Sequence, residues 1–151
     1  MATGRTVLHQ YYIRAPSAKV FKALSDNKEL TRWFLSKARL DKEKGGEYEF
    51  TWQGGYTESG KVLEYVPGKK LSLSWPSVWK KKALGRTRAT FTVETRGKGT
   101  LLKLRHSGWG SSEGWIWNYA LTHAGWSYYL TNLKSVLERG YDLRSRLDRQ
   151  S

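Results

Sequence analysis

The sequence predicts an α+β domain in which a curved antiparallel sheet packs against one long C-terminal helix. Apolar residues recur at three- and four-residue steps from Ile116 to Leu137, which is the period of an amphipathic helix. Between residues 38 and 107, short segments alternate apolar and polar side chains and are separated by turns, a pattern typical of successive hairpins. One face of that sheet is apolar and needs a cover, and only the C-terminal helix is long enough to provide it.

The N-terminal part of the chain predicts one strand and two short helices. Residues 6–14 are rich in β-forming side chains, and Pro16 ends that strand and favours the start of a helix. Residues 17–24 place their apolar side chains on one face of the first helix. An Asp-Asn pair then ends this helix and caps a second one over residues 28–34.

The central part of the chain predicts further strands, which bring the sheet to about six or seven. The predicted strands cover residues 38–40, 47–52, 56–66, 70–75, 86–95 and 100–107. Glycine pairs, a Pro-Gly pair and an Arg-Gly-Lys-Gly segment between them indicate the turns. Residues 76–84, with the sequence PSVWKKKAL, are predicted as an exposed, basic loop.

The long helix is predicted over residues 112–139. Ser111 or Ser112 is its expected N-cap, and Gly140 is its expected end. Gly125 interrupts the apolar stripe at a cost of roughly 1 kcal/mol relative to alanine. A close approach of the helix backbone to a strand would explain that glycine.

A chain of 151 residues is expected to form a single domain, with a core over residues 6–140 and a frayed, charged tail over residues 141–151. The absence of cysteine excludes disulfides and a thiol nucleophile. The N-terminus has no apolar run of the kind found in signal peptides, and no stretch approaches the ~20 apolar residues of a membrane span. A cytoplasmic protein is the default expectation.

The chain is strongly basic, with a formal net charge of +14. Such a charge favours polyanions or an acidic protein surface as partners. Because the cations are spread along the sequence, an ordinary solvated surface is the favoured interpretation. The densest basic cluster consists of Lys80, Lys81, Lys82, Arg86 and Arg88. Nucleic acid is not an expected partner, since the sequence contains no recognisable nucleic-acid-binding motif.

The segment APSAKVFKAL at residues 15–24, followed by Trp33-Phe34, resembles the opening of the START-like (SRPBCC) superfamily. More narrowly, it resembles the activator of heat-shock-protein-90 ATPase homologue-like family. Further motifs of this family follow in order: Gly45-Gly46, GKVLE at 60–64 with Pro67, LSLSW at 71–75, TFTVE at 90–94, GTLLKLRHSG at 99–108 and Gly125-Trp126. The resemblance covers about residues 6–140 and implies a helix-grip fold, β-α-α-β6-α, with a cavity between the sheet and the long helix. Because its relatives include lipid carriers, hormone receptors, cyclases and co-chaperone domains, it leaves the function open.

Aromatic side chains make up 14% of the chain and include eight tryptophans, which indicates either a large core or a lined pocket. With the cavity that the resemblance implies, we expect a pocket for an apolar ligand. Its predicted lining consists of Trp33, Tyr48, Phe50, Trp52, Glu58, Trp75, Phe91, His106, Tyr119, His123 and Trp126.

The ionisable members of this predicted lining allow two interpretations. Glu58 shares the strand parity of Val62 and is expected to face inward, where burial would raise the pKa of its carboxyl group. His106 and His123 are favoured as partly buried, hydrogen-bonded histidines over an acid–base pair. No two histidines have the spacing of metal ligands, so neither a metal nor another cofactor is expected.

Three functions remain open at this stage. The favoured hypothesis is a module that binds a hydrophobic or amphipathic small molecule in the cavity, without obvious catalysis. The second is a co-chaperone-like module whose basic surface binds an acidic protein, such as a chaperone. The third is a cavity enzyme in which His106, His123 or Glu58 acts as acid or base.

Overall fold

A computed structural model of the chain describes residues 5–144. It contains seven strands and three helices in the predicted order. In chain order these are β1 (Thr6–Ile13), α1 (Ser17–Ser25), α2 (Asn27–Trp33), β2 (Lys37–Leu40), β3 (Glu47–Thr51), β4 (Thr57–Val66), β5 (Lys70–Trp79), β6 (Lys82–Arg96), β7 (Gly99–Ser107) and α3 (Glu113–Arg139). The strands form one curved sheet in the order β1-β7-β6-β5-β4-β3-β2, and every neighbouring pair is antiparallel. The predicted fold class is therefore confirmed.

The core lies between the inner face of the sheet and α3. Alternate residues of the central strands, such as Leu71 and Leu73 on β5 and Leu102 and Leu104 on β7, are almost fully buried. They face a stripe on α3 that includes Trp126, Leu130, Leu133 and Val136, all of them buried. Removal of this much apolar surface from water is the main stabilising contribution, at roughly 25 cal/mol per Å².

The ends of the helices follow the capping residues of the sequence. Asp26 caps α2, since its carboxylate accepts a hydrogen bond from the Glu29 backbone N–H at 3.0 Å. Ser112 occupies the N-cap position of α3, although its side chain makes no capping hydrogen bond. Gly140 ends α3 in the left-handed conformation, with φ of 68°, as the sequence predicts.

The prediction of a loop over residues 76–84 is wrong. Strand β5 continues to Trp79 and β6 begins at Lys82, so a long hairpin with a two-residue turn replaces the loop. The turn residues Lys80 and Lys81 both have positive φ, at 50° and 67°. A lysine pair does not indicate such a turn, for which Asn-Gly is the usual sequence. Pro76 is tolerated within β5 because the β4 pairing ends at Leu73 and leaves this part of β5 at an edge.

The prediction of a frayed tail is wrong for residues 141–144. This segment turns back onto the domain, and Arg144 is only 6% exposed. Its guanidinium donates hydrogen bonds to the Leu35 and Thr31 carbonyl oxygens at 3.2 and 2.9 Å, and it pairs with the Asp142 carboxylate. Arg144 thus ties residues 141–144 to α2 and to the residues that follow it. Residues 145–151 lie outside the described part of the chain.

Within residues 5–144, no helix is both long enough and apolar enough to cross a membrane.

Candidate functional site

A pocket of about 260 Å³ lies between α3 and the β3–β4 hairpin and opens to solvent. Its wall is formed by Phe34, Trp52, Tyr56, Glu58, Trp75, Thr122, Gly125, Trp126 and Tyr129. This volume is slightly below the range of about 300–1,000 Å³ typical of small-molecule sites. The pocket therefore suits a small ligand.

Each part of the wall comes from a different element. Thr122, Gly125 and Tyr129 lie three or four residues apart on α3 and so share one side of the helix. Trp52 follows β3, and Phe34 follows α2. Two of these α3 residues, Thr122 and Gly125, have small side chains, and they leave the space that the pocket occupies.

The aromatic rings of the wall hold one another in place. The Phe34 ring lies 5.4 Å from Trp52, 5.4 Å from Trp126 and 5.0 Å from Tyr129, measured between centroids. Trp75 and Trp126 are 5.2 Å apart. Contacts of this kind contribute about 0.5–1.5 kcal/mol each beyond area burial. The wall is thus a connected set of rings rather than a row of independent side chains.

Among residues 5–144, Glu58 is the one carboxylate or basic side chain on the pocket wall. Its Oε2 accepts a hydrogen bond from the Tyr56 hydroxyl at 2.7 Å. Burial raises the pKa of Glu58, while the Tyr56 hydrogen bond and the charge of Arg86 oppose that change. Burial and Glu58 together raise the pKa of Tyr56 to about 12, so Tyr56 remains a donor at neutral pH.

His106 lies beneath the pocket and is fully buried. Its Nδ1 accepts a hydrogen bond from Trp126 Nε1 at 3.0 Å, so the ring proton lies on Nε2. Nε2 donates to Thr87 Oγ1 at 2.6 Å, and Thr87 donates to the Trp75 carbonyl at 3.2 Å. Burial lowers the pKa of His106 to about 3, which keeps the ring neutral. His106 therefore positions Trp126 and does not contact the pocket itself.

His123 lies on the surface, outside the pocket. Its Nδ1 is 3.0 Å from Nε2 of His9 on β1. Burial, and then the neighbouring His123, lower the pKa of His9. Among residues 5–144, no group of three histidine, cysteine or acidic side chains is arranged to hold a metal.

Four residues of the predicted lining lie on the pocket wall: Trp52, Glu58, Trp75 and Trp126. The structure places Trp33, Tyr48, Phe50 and Phe91 in the packed core instead, where Phe50 and Phe91 border a void of only about 10 Å³. Two of these side chains donate hydrogen bonds within the core: Trp33 Nε1 donates to the Ala23 carbonyl, and the Tyr48 hydroxyl donates to the Ser74 carbonyl. Tyr119 packs edge-on against Trp109.

Five wall residues are absent from the lining that the sequence predicts: Phe34, Tyr56, Thr122, Gly125 and Tyr129. The prediction that a strand approaches the helix backbone at Gly125 is wrong. A Cβ added at Gly125 would meet no atom within 4 Å. The glycine therefore widens the pocket rather than allowing close packing. Together with Thr122 it marks the open side of a helix that is otherwise rich in large rings.

The five predicted basic residues do not act as one free cluster. Lys80, Lys81 and Lys82 lie exposed at the end of the β5–β6 hairpin. Arg86 donates to the Ser59 carbonyl at 3.0 Å, and Arg88 donates to Ser72 Oγ at 2.9 Å and lies 3.4 Å from Glu64. Two of the five cations are therefore already bound within the protein.

A seven-stranded antiparallel sheet that encloses a C-terminal helix, with an aromatic pocket beside that helix, defines a helix-grip protein of the START-like class. The family model described as "Activator of Hsp90 ATPase homolog 1-like protein" matches residues 14–138. The chain belongs to that family, as its sequence motifs indicate.

Solved structures agree with this assignment. A Mesorhizobium loti protein is 26% identical with a TM-score of 0.78, and the match covers 89% of this chain and 98% of that one. An AHSA1-like protein of Rhizobium etli is 28% identical (TM-score 0.71; 92% and 85% covered). CalU16 from Micromonospora echinospora is 26% identical (TM-score 0.71; 97% and 83% covered). No curated protein sequence matches the chain.

Proposed function

We propose that this protein binds a small hydrophobic or amphipathic molecule in the pocket beside α3, without catalysing a reaction on it. The observation that carries this proposal is the pocket of about 260 Å³ whose wall includes six aromatic side chains. Apolar surface left open to water is unfavourable by roughly 25 cal/mol per Å². One larger side chain at position 125 would fill this space, but the residue there is glycine.

The arrangement of ionisable groups argues against an enzyme. General acid–base catalysis needs a titratable group within hydrogen-bond reach of the substrate. His106 is fully buried and uses both ring nitrogens in internal hydrogen bonds, and His123 lies outside the pocket. Among residues 5–144, Glu58 is the only carboxylate, histidine or basic side chain on the pocket wall, and its neighbour Tyr56, whose pKa is raised to about 12, stays protonated at neutral pH and serves as a donor to it.

Binding is tested by tryptophan fluorescence, since Trp52, Trp75 and Trp126 all line the pocket. We expect 2-naphthalenemethanol to change this emission in a saturable way that added salt barely alters. Gly125→Leu fills the pocket and should abolish the change. Ala124→Leu is the matched control, because Ala124 is exposed and does not line the pocket.

Retained binding in Gly125→Leu, or equal loss in both variants, would contradict the proposal, as would the absence of saturable binding by the wild type. The alternative function, docking of an acidic protein on the exposed Lys80, Lys81 and Lys82, predicts a complex that dissociates as ionic strength rises. A salt-sensitive protein complex without any naphthyl binding would favour that alternative.

A further inference from the structure

The charge of the pocket is opposite to the charge of the protein. The chain carries a net charge of +14, with 27 basic and 13 acidic residues. Among residues 5–144, no lysine or arginine lies on the pocket wall, and Glu58 is the single charged group there. A ligand inside the pocket therefore meets a negative group first, while the remainder of the surface would favour anions.

The aromatic rings around Glu58 add to the negative electrostatic potential in the pocket. Trp52 lies 5.9 Å from Tyr56 and 6.2 Å from Trp75, measured between ring centroids. The face of an aromatic ring carries a negative electrostatic potential, which attracts cations by about 0.5–2 kcal/mol per contact. Several rings and one carboxylate around a small space form the kind of cage that binds ammonium groups.

Glu58 keeps acceptor capacity for such a ligand. A carboxylate has about four acceptor sites. Within residues 5–144, Tyr56 provides its one hydrogen bond, and no cation lies at ion-pair distance from it. Arg86, whose charge acts on Glu58 from a distance, donates to the Ser59 carbonyl and to Ser74 Oγ and forms no ion pair with Glu58. Burial raises the pKa of Glu58 by more than Tyr56 and Arg86 lower it, so a cation in the pocket would further stabilise the ionised carboxylate.

We propose that the pocket selects organic cations: protonated or quaternary amines carried on a small, flat apolar body. This inference rests on the proposed binding function and specifies its ligand class. The apolar body contacts the rings of Phe34, Trp126 and Tyr129, and the ammonium group lies against Glu58 and the faces of Trp52 and Tyr56. Fatty acids and other anionic amphiphiles are rejected because they would place a second negative charge beside Glu58.

Three probes with one shared ring test the selectivity: (2-naphthylmethyl)trimethylammonium, 2-naphthalenemethanol and 2-naphthoate. We expect the cation to bind about tenfold more tightly than the alcohol, and the anion to bind more weakly than both. Glu58→Gln keeps an acceptor for Tyr56 but removes the charge, and should bring the cation to the affinity of the alcohol. Glu49→Gln is the matched control, since Glu49 is exposed, lies on the neighbouring strand and changes the net charge equally.

The outcomes separate the two proposals. If none of the probes binds the wild type, the binding function itself is wrong. If the alcohol binds and the cation gains nothing, or if Glu58→Gln and Glu49→Gln change the preference equally, the binding function remains and the charge selectivity is wrong. The net charge of the protein by itself would favour naphthoate, so a preference for the cation has the opposite sign to nonspecific electrostatics.

A wild-type measurement keeps the test valid if Glu58→Gln does not fold. Cation affinity should fall when the pH is lowered far enough to protonate Glu58, whereas the affinity for the alcohol should stay constant. Equal pH dependence of the two affinities would overturn the selectivity.

Discussion

His106 illustrates at the scale of one residue how a polar group can stabilise an aromatic core. The side chain is fully buried, yet Trp126 and Thr87 satisfy both ring nitrogens. Among the residues that the structure describes, no buried side-chain nitrogen or oxygen lacks a hydrogen-bond partner. Such complete pairing matters, because each buried polar group without a partner would lower the free energy of unfolding by about 1–3 kcal/mol.

The low pKa of His106 predicts acid sensitivity. The unfolded chain takes up a proton near the ordinary pKa of 6.5, whereas the folded protein does so only at about 3. The stability that this depressed pKa contributes is therefore complete above pH 6.5. As the pH falls from 6.5 towards 3, the free energy of unfolding decreases by up to about 1.4 kcal/mol per pH unit. Urea unfolding at several pH values should show this loss.

A variant identifies the contribution of His106. Glutamine can accept from Trp126 and donate to Thr87 but does not titrate. His106→Gln should therefore have a lower free energy of unfolding at neutral pH and a shallower decline in acid than the wild type. Parallel declines in the two proteins would assign the acid sensitivity to other groups.

At the scale of elements, the β5–β6 hairpin departs most from its sequence signal. Positive φ costs roughly 1–2 kcal/mol for residues with a Cβ atom, and both turn residues are lysines. The hairpin forms nevertheless, because β5 and β6 are paired along nearly their whole length. Tertiary pairing thus overrides the local preference of the turn.

Replacement of the turn by a favourable sequence tests this account. The double variant Lys80→Asn/Lys81→Gly should raise the free energy of unfolding by about 1–2 kcal/mol, chiefly because position 81 loses its Cβ atom, while asparagine tolerates positive φ better than lysine does. Thermal or urea unfolding provides the measurement. Lys80→Ala/Lys81→Ala removes the same charges and retains Cβ atoms, so it should not stabilise. Equal stabilisation of both variants would point to relief of charge repulsion instead.

At the scale of the whole molecule, residues 141–144 complete the fold beyond the region that the family model covers. Buried Asn132 on α3 donates to the Trp33 carbonyl at 2.8 Å and to Asp142 at 3.0 Å, and it accepts from the Leu143 N–H at 2.7 Å. Arg144 then reaches the carbonyls at the end of α2. Because Phe34 follows α2 directly, this network also positions one wall of the pocket.

Arg144→Lys should therefore destabilise the protein even though it conserves the charge. Lysine cannot reproduce the arrangement in which one guanidinium bonds two carbonyls and a carboxylate. We expect a loss of about 1–3 kcal/mol in the free energy of unfolding, because lysine leaves at least one of these acceptors without its donor. Arg139→Lys is the control, since Arg139 is exposed at the end of α3, and it should change stability little. Equal stability of both variants would show that the terminal network is dispensable.

The fold could be predicted from the sequence because periodicity reports which face of each element avoids water. Alternation in β5, β6 and β7 and the three-to-four spacing of α3 were sufficient for the order of elements and the fold class. Capping residues were as informative, since Asp26 and Gly140 act within a few residues of their own backbone. The parity of β4 likewise predicted that Glu58 faces inward, where the structure places it on the pocket wall.

The pocket could be predicted only in part, because periodicity assigns a side chain to a face but not to a position within the core. Trp33, on a helix, and Trp75, on a strand, are both predicted to face inward, yet one is packed in the core and the other lines the pocket. The difference depends on residues distant in the chain, above all on the space that Gly125 leaves on α3. The sequence by itself determined the elements and their inner faces, because these depend on local preference and burial. The tertiary structure alone decided where the rings leave space, because that depends on the packing of side chains brought together from four separate parts of the chain.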